Sequence, residues 1–182
     1  MLLVRRPTGI PAAEDFEIRA SEVPQVPAGR FLVRNLYLSV DPAQRGWAAD
    51  SANYSAAVPL GSTMRALAVG VVIASRCDRV YEGEVLYGWF GWQYYSLGEP
   101  KDILLRAHHP VPITQNLGLL GINGLAAYLA LHDIGRPRAG DTLLVSTAAG
   151  AVGSLAGQIG KILGCRTIGL TGTDEKAERC RA

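Results

Sequence analysis

Cysteine is scarce in this chain. There are three, Cys77, Cys165 and Cys180, widely spaced and odd in number. Such a set makes neither a disulfide framework nor a zinc cluster, so a reducing cytoplasm is the expected setting. Long apolar runs are missing as well. None reaches the length of a membrane span, and the opening MLLVRRPTG lacks the apolar core of a signal peptide. Charge of one sign is also in short supply: 18 Lys and Arg face 16 Asp and Glu, a net of +2. That is too little to argue for a nucleic-acid partner, and no basic cluster carries interleaved aromatics. No repeat or low-complexity segment appears. What is present, 182 residues that are 48% hydrophobic and 19% charged, suffices for one large domain or two small ones with a proper core.

The most informative stretch is Asp141 to Lys176, DTLLVSTAAGAVGSLAGQIGKILGCRTIGLTGTDEK. Leu143, Leu144 and Val145 are a short apolar run suited to a strand buried on both faces. The run breaks at Ser146-Thr147. Apolar residues then recur at Val152, Leu155, Ala156, Ile159 and Leu163, one stripe along a helix. Gly164 stops that helix where a left-handed cap is cheap, and a second strand is expected over 166–171. Strand, glycine turn, helix and strand make a βαβ unit, whose crossover should be right-handed.

The turn carries the chemistry. Gly150 and Gly153 lack a Cβ, so the amides of Gly150, Ala151, Val152 and Gly153 can approach a pyrophosphate at the positive end of the helix. The dinucleotide fingerprint Gly-x-Gly-x-x-Gly is present as Ala-x-Gly-x-x-Gly, with Ala148 in the first place. The alternative is a tight turn that only packs helix on strand, a task also expected of Gly157 and Gly160. After the second strand comes Thr171-Gly172-Thr173-Asp174-Glu175-Lys176. Thr171 stands where NAD enzymes carry an acid, and Asp174 and Glu175 fit the first turn of another helix. Lys176 can reach a phosphate as a point charge, which favours NADP over NAD. Its alternative reading is a solvated helix lysine.

Earlier in the chain, Leu2-Leu3-Val4 reads as a short strand. Leu32, Leu36, Leu38 and Val40 alternate as a half-buried antiparallel strand does. Asp41-Pro42 ends it, and 43–54 reads as loop or short helix. Glycine-interrupted strands follow at 65–74 and 85–97, and several short strands in about 110 residues suggest a compact, partly open β-barrel. Leu120, Leu125, Tyr128, Leu129 and Leu131 then place a helix over 117–134, closed by Gly135.

With these pieces in order, the chain resembles the zinc-independent branch of the medium-chain dehydrogenase/reductases, and within it the NADPH-dependent alkenal and prostaglandin reductase group. The matching motifs are Tyr37-Leu38-Ser39-Val40-Asp41-Pro42 with Arg45-Gly46, Gly91-Trp92-Gln93-Tyr94-Tyr95, and Leu119-Leu120-Gly121 with Gly124-Leu125 and Ala127-Tyr128. Asp133-Ile134-Gly135, Ala148 to Gly153, and Gly172-Thr173-Asp174-Glu175-Lys176 complete the set. The resemblance implies an α/β plus β chain. A GroES-like, partly open β-barrel lobe over 1–120 is followed, over 121–182, by a linking helix and the first βαβ of a doubly wound Rossmann NADP-binding domain. It implies an active site in the cleft between them. Relatives are nearly twice as long, so the chain reads as a truncated fragment, or as one whose exposed sheet edge a second copy covers in a dimer.

The resemblance also implies the reaction. The C4 hydride of NADPH goes to the β-carbon of an α,β-unsaturated aldehyde or ketone, with donors stabilising the enolate oxygen. Tyr54 matches a substrate-pocket tyrosine of bacterial relatives; an exposed loop aromatic is the competing reading. Ile122 and Ala126 fall where relatives often have Met and Thr beside the nicotinamide, with polar Asn123 nearby. Gly172 and Lys176 fall at the NADP phosphate. No metal is expected: Cys77 has no partner at usable spacing, and His108-His109 reads as a loop pair. Trp89, Phe90, Trp92, Tyr94 and Tyr95 read as barrel core rather than a substrate box. Three departures stand out. Ala66-Leu67-Ala68 replaces a glycine-rich run and adds bulk near the cleft, Gln44 replaces a methionine, and Ala126 removes a hydroxyl. Quinone reduction on the same scaffold, and a non-catalytic binding or dimerisation module, remain open alternatives.

Overall fold

Short apolar segments in the first half of the chain pair into an antiparallel sheet. In the computed structural model, which describes residues 1–50, 55–107 and 111–181, the chain divides into two units, Met1–Leu117 and Gly118–Ala182. The first contains β1 (Leu2–Leu3), β2 (Phe16–Glu17), β3 (Phe31–Leu38), helix α1 (Ala43–Ala48), β4 (Ala68–Ser75), β5 (Val85–Gly88), β6 (Tyr95–Gly98) and β7 (Ile103–Arg106). β1 and β2 pair with each other. The other five form a sheet in the order β6-β3-β4-β5-β7, antiparallel throughout.

One side of the sheet buries Phe31, Val33, Ala68, Val72, Val80, Leu86 and Phe90. A second cluster, Leu3, Trp47, Ala48, Val58 and Met64, ties α1 to the N-terminal strand, and Leu67, Val69 and Tyr87 form a third. The period-two reading of β3 holds only in part. Phe31, Leu32 and Val33 are all buried, whereas Leu36 and Leu38 are exposed and Val40 is 82% exposed. Irregular register at Leu32/Val33 and again at Asn35/Tyr37 is the physical reason: a bulge inserts a residue and flips the alternation. The aromatic run divides too. Phe90 is core, Trp89 and Trp92 pack edgewise or tilted on Trp47 and Phe16, and Tyr94 and Tyr95 face solvent. Leu67 and Ala68, the latter the first residue of β4, are buried, and Ala66 alone of the three lines a cavity.

The second unit contains α2 (Ile122–Leu129), a wider π turn over Ala130–Gly135, β8 (Thr142–Val145), α3 (Ala151–Ile162), β9 (Arg166–Gly169) and α4 (Asp174–Arg181). β8 and β9 run parallel in register, Thr142 opposite Arg166 through Val145 opposite Gly169, and α3 joins them. α3 lies on both strands and against α2. Gly160 makes that approach possible, since a Cβ there would sit 2.3 Å from the Leu143 side chain; at Gly157 the nearest atom is an ordinary 3.7 Å away. Gly164 takes the expected left-handed conformation. The linking helix is shorter than its apolar pattern. Glycine turns at Gly118 and Gly121 delay its start, with the amide of Gly124 donating to the Gly118 carbonyl at 3.1 Å. At its other end Arg136, not Gly135, takes the left-handed position, at φ 45°.

Candidate dinucleotide-binding site

The turn after β8 is laced to the strand beside it. Leu170 donates from its amide to the Val145 carbonyl at 2.8 Å, and Ala148 donates to Leu170 at 3.0 Å. The chain then reverses through Thr147, which has a left-handed φ of 51°. The Gly150 amide closes the turn on the Thr147 carbonyl at 2.8 Å. Gly150 is the N-cap of α3 in extended conformation, and no side chain caps the helix. An α-helix leaves its first amides without intrahelical acceptors, so those of Ala151, Val152 and Gly153 are open to a ligand at the positive end of the dipole. Gly153 is there because nothing larger fits: a Cβ would lie 2.3 Å from the Thr147 carbonyl oxygen. At Gly150 the corresponding distance is 3.1 Å.

Beneath this helix mouth is a cavity of about 300 Å³ lined by Thr147, Ala149, Gly150, Leu170, Thr171, Gly172 and Lys176. Thr173 stands just before α4, its hydroxyl accepting from the Lys176 amide at 3.3 Å, while Thr171 donates to the Thr173 carbonyl at 3.1 Å. Those bonds fix the second wall. Glu175 is engaged with Arg179 at 2.6 Å, and Lys176 forms no ion pair among the described residues. A bare helix start, a cradle that side chains would fill, and an uncompensated ammonium suit a dinucleotide phosphate.

Of the residues singled out from sequence, Gly150, Gly172 and Lys176 line this cavity, and Ala151, Val152 and Gly153 form the helix turn above it. Ile122 and Ala126 share one exposed face of α2, and Asn123 is half-buried beside them; none of the three lines the cavity. Tyr54 and the His108-His109 pair lie outside the described residues. Sequence reasoning missed Thr147, Ala149 and Leu170 as lining residues. Their only signal was position within the turn and strand end. Among the described residues no three His, Cys, Asp or Glu side chains gather as a metal-ligand set, and no helix is long and apolar enough to cross a membrane.

The first unit holds a larger cavity, about 660 Å³, lined by Trp47, Ser55, Thr63, Met64, Arg65, Ala66, Trp89, Phe90, Gly91, Gln93, Ser96 and Leu97. Gln44 does not line it but braces the main chain of Arg65, which does. This buried amide accepts from the Asp41 amide at 2.9 Å and donates to the carbonyls of Ser39 and Arg65 at 3.3 and 3.2 Å. Ser39 gathers further bonds, from the Leu67 amide to its hydroxyl at 3.1 Å and from the Trp92 indole to its carbonyl at 2.9 Å.

Residues 1–105 match a family profile described as the N-terminal domain of oxidoreductase. An NADPH-dependent curcumin reductase of Escherichia coli K12 is 39% identical over 180 residues, which is 99% of this chain and 51% of that protein. An NADP-dependent 2-alkenal reductase of Nicotiana tabacum is 36% identical over 94% of this chain and 51% of its own length. Among solved structures, CurA from Vibrio vulnificus in complex with NADPH superposes with a TM-score of 0.91 at 40% identity, covering 99% of this chain and 53% of that one. The chain spans about half the length of the curated relatives it matches. It belongs to the oxidoreductase family which that N-terminal domain defines, in the zinc-independent medium-chain dehydrogenase/reductase group, with a β-rich lobe followed by the first βαβ of a Rossmann domain.

Proposed function

We propose that this chain binds NADPH at the α3 mouth and serves the metal-free reduction of the carbon–carbon double bond of α,β-unsaturated aldehydes or ketones. The carrying observation is the cavity of about 300 Å³ that joins Gly150 and Gly172 to an ammonium, Lys176, which forms no ion pair among the described residues. The activities for which the curcumin and alkenal reductases are named support the same reading. The amides of Ala151, Val152 and Gly153 receive the diphosphate, and Lys176 meets the 2′-phosphate that distinguishes NADP from NAD. When bound, reduced nicotinamide supplies a hydride at its C4. Ile122, Asn123 and Ala126 are assigned to its surroundings, and Tyr54 to the donor role toward the enolate oxygen, on the family resemblance alone.

The test is a pair of fluorescence titrations with NADPH and NADH. NADPH is expected to bind about tenfold tighter or better, as one charge-assisted pair warrants. Lys176→Glu should erase that preference, and equal affinities in the unaltered chain would remove the assignment. Turnover is then read as NADPH consumption with an alkenal and with a small quinone. Consumption with the quinone alone selects quinone reduction, and binding without consumption of either selects the binding-module alternative.

A further inference from the structure

The cavity of the first unit has one charged residue on its wall among those described, Arg65, and no acid. Several other arginines of this unit are engaged away from that cavity. Arg5, Arg30 and Arg106 pair with Asp15, Glu99 and Glu84, and Arg6 and Arg45 hold backbone carbonyls of the N-terminal and α1 regions. Arg65 is half-buried and forms no ion pair among the described residues. One of its terminal nitrogens donates to the Ser55 hydroxyl at 2.6 Å and to the Ala56 carbonyl at 3.1 Å. Its guanidinium carbon lies 5.5 Å from the centre of the Trp47 ring. Neutral partners and an indole face orient the cation without cancelling its charge. The Gln44 amide, bonded to the Arg65 carbonyl, holds the main chain beneath it.

The remaining wall combines apolar Trp47, Met64, Ala66, Trp89, Phe90 and Leu97 with four neutral polar residues and a glycine. Trp47 and Trp89 meet edge to face, 5.6 Å apart at their centroids. A volume near 660 Å³ is in the range of small-molecule sites. Around a cation with no ion pair among the described residues, partly apolar walls concentrate positive potential at one point, and no described lining residue is anionic.

We infer that this cavity takes a small molecule with a flat apolar body and one carboxylate, the carboxylate on Arg65 and the body against Trp47, Trp89 and Phe90. The identification of that molecule as substrate rests on the reductase reading, and makes the substrate class carboxylated aromatic enones. The binding claim itself does not require NADPH.

The experiment uses the whole chain without NADPH, in equilibrium dialysis against two probes: 4-phenylbut-3-en-2-one and its ring-carboxylated derivative, 4-(3-oxobut-1-enyl)benzoate. The carboxylated probe is expected to bind about tenfold tighter, the size of one charge-assisted pair. Arg65→Gln should bring the two affinities within about twofold of each other, by loss of the same pair. Arg65→Lys, which keeps the charge but not the planar fork, should retain part of the preference, and added salt should reduce it in the unaltered chain. Equal affinities for the two probes, no binding of either, or a preference that survives Arg65→Gln would overturn the inference. If Arg65→Gln does not fold, the lysine variant and the salt series decide it: a preference unmoved by both has another cause. NADPH titration of the same preparations reads the reductase assignment separately.

Discussion

A methyl group added at Gly153 would lie 2.3 Å from the Thr147 carbonyl oxygen and 2.9 Å from its carbon. Both are main-chain atoms of a turn held by the Gly150 amide, so they cannot step aside as a flexible side chain would. Gly153→Ala should therefore cost about 1–3 kcal/mol of stability, in the range of core overpacking, and should also abolish NADPH binding. Gly172 is the control in the same cavity. Its added Cβ meets nothing within 4 Å and its backbone is not left-handed, so Gly172→Ala should leave the urea midpoint nearly unchanged. Asp15 allows a test by pH. Its buried carboxylate accepts from the Ala12 amide at 2.9 Å and from Arg5 Nε at 2.7 Å, and these bonds, the backbone one first, hold its pKa below the ordinary carboxylate value. The native value being the lower one, this stabilisation is complete above about pH 4, the unfolded carboxylate range, and is lost as pH falls through the native value. Urea titrations should show a stability gap between the unaltered chain and Asp15→Asn that is constant near neutrality and shrinks below pH 4. A gap that widened on acidification would contradict the geometry.

Among the elements, α1 and the segment after it depend on the stretch that follows β1. One Arg6 nitrogen donates to the Ala48 carbonyl at 3.1 Å and to the Val58 carbonyl at 2.7 Å, while the Val58 amide donates to Trp47 at 2.8 Å. A single cation thus pins the end of α1 to the chain that returns toward Met64 and Arg65. Arg6→Ala leaves two carbonyls without that donor and should cost about 2 kcal/mol by urea denaturation. It should also lower the affinity of the 660 Å³ cavity for the carboxylated probe, because Trp47 and Arg65 lose their common support. The legibility of these elements follows the range of the forces that make them. The positions of β8, α3 and its Gly164 stop were readable because apolar period and glycine punctuation are local properties of Asp141 to Gly164, but the expected burial of β8 on both faces was not met, since Leu144 is 61% exposed. The glycine turn and Lys176 drew notice in the sequence by their spacing, and Gly150, Gly172 and Lys176 line one cavity. The burial of β3 was not readable, since its bulges arise from pairing with β4, more than thirty residues away. The late start of α2 was hidden because glycine turns at Gly118 and Gly121 interrupt an otherwise helical pattern, and the left-handed Arg136 and Thr147 were hidden because each adopts a conformation against its own preference. Nor did any pattern mark Arg65, whose interest lies in which acids fail to reach it.

At the scale of the molecule, the surface of the second unit is unusually apolar. Ile134 and Ile162 are more than four-fifths exposed, and Leu125, Leu144 and Leu170 are more than half exposed. β8 and β9 form a sheet of only two strands, which by itself is marginal and presents open edges for pairing. The net charge of +2 supplies little repulsion to oppose contact between copies. Burying apolar area of this kind contributes roughly 25 cal/mol per Å², so a contact of a few hundred Å² on each copy offsets a substantial part of the entropy of association. The chain is therefore expected to self-associate, its sedimentation coefficient rising with concentration over the micromolar range. Leu144 is the residue to alter, because it stands on β8 yet faces outward, and a lysine there can keep its ammonium in water. Leu144→Lys should leave the thermal midpoint of dilute chain nearly unchanged and hold the sedimentation coefficient at the monomer value. A chain that stays monomeric without the substitution would show that the exposed β8 face does not drive association. A Leu144→Lys variant that still associates would move the contact to the helical surface of Ile134 and Ile162.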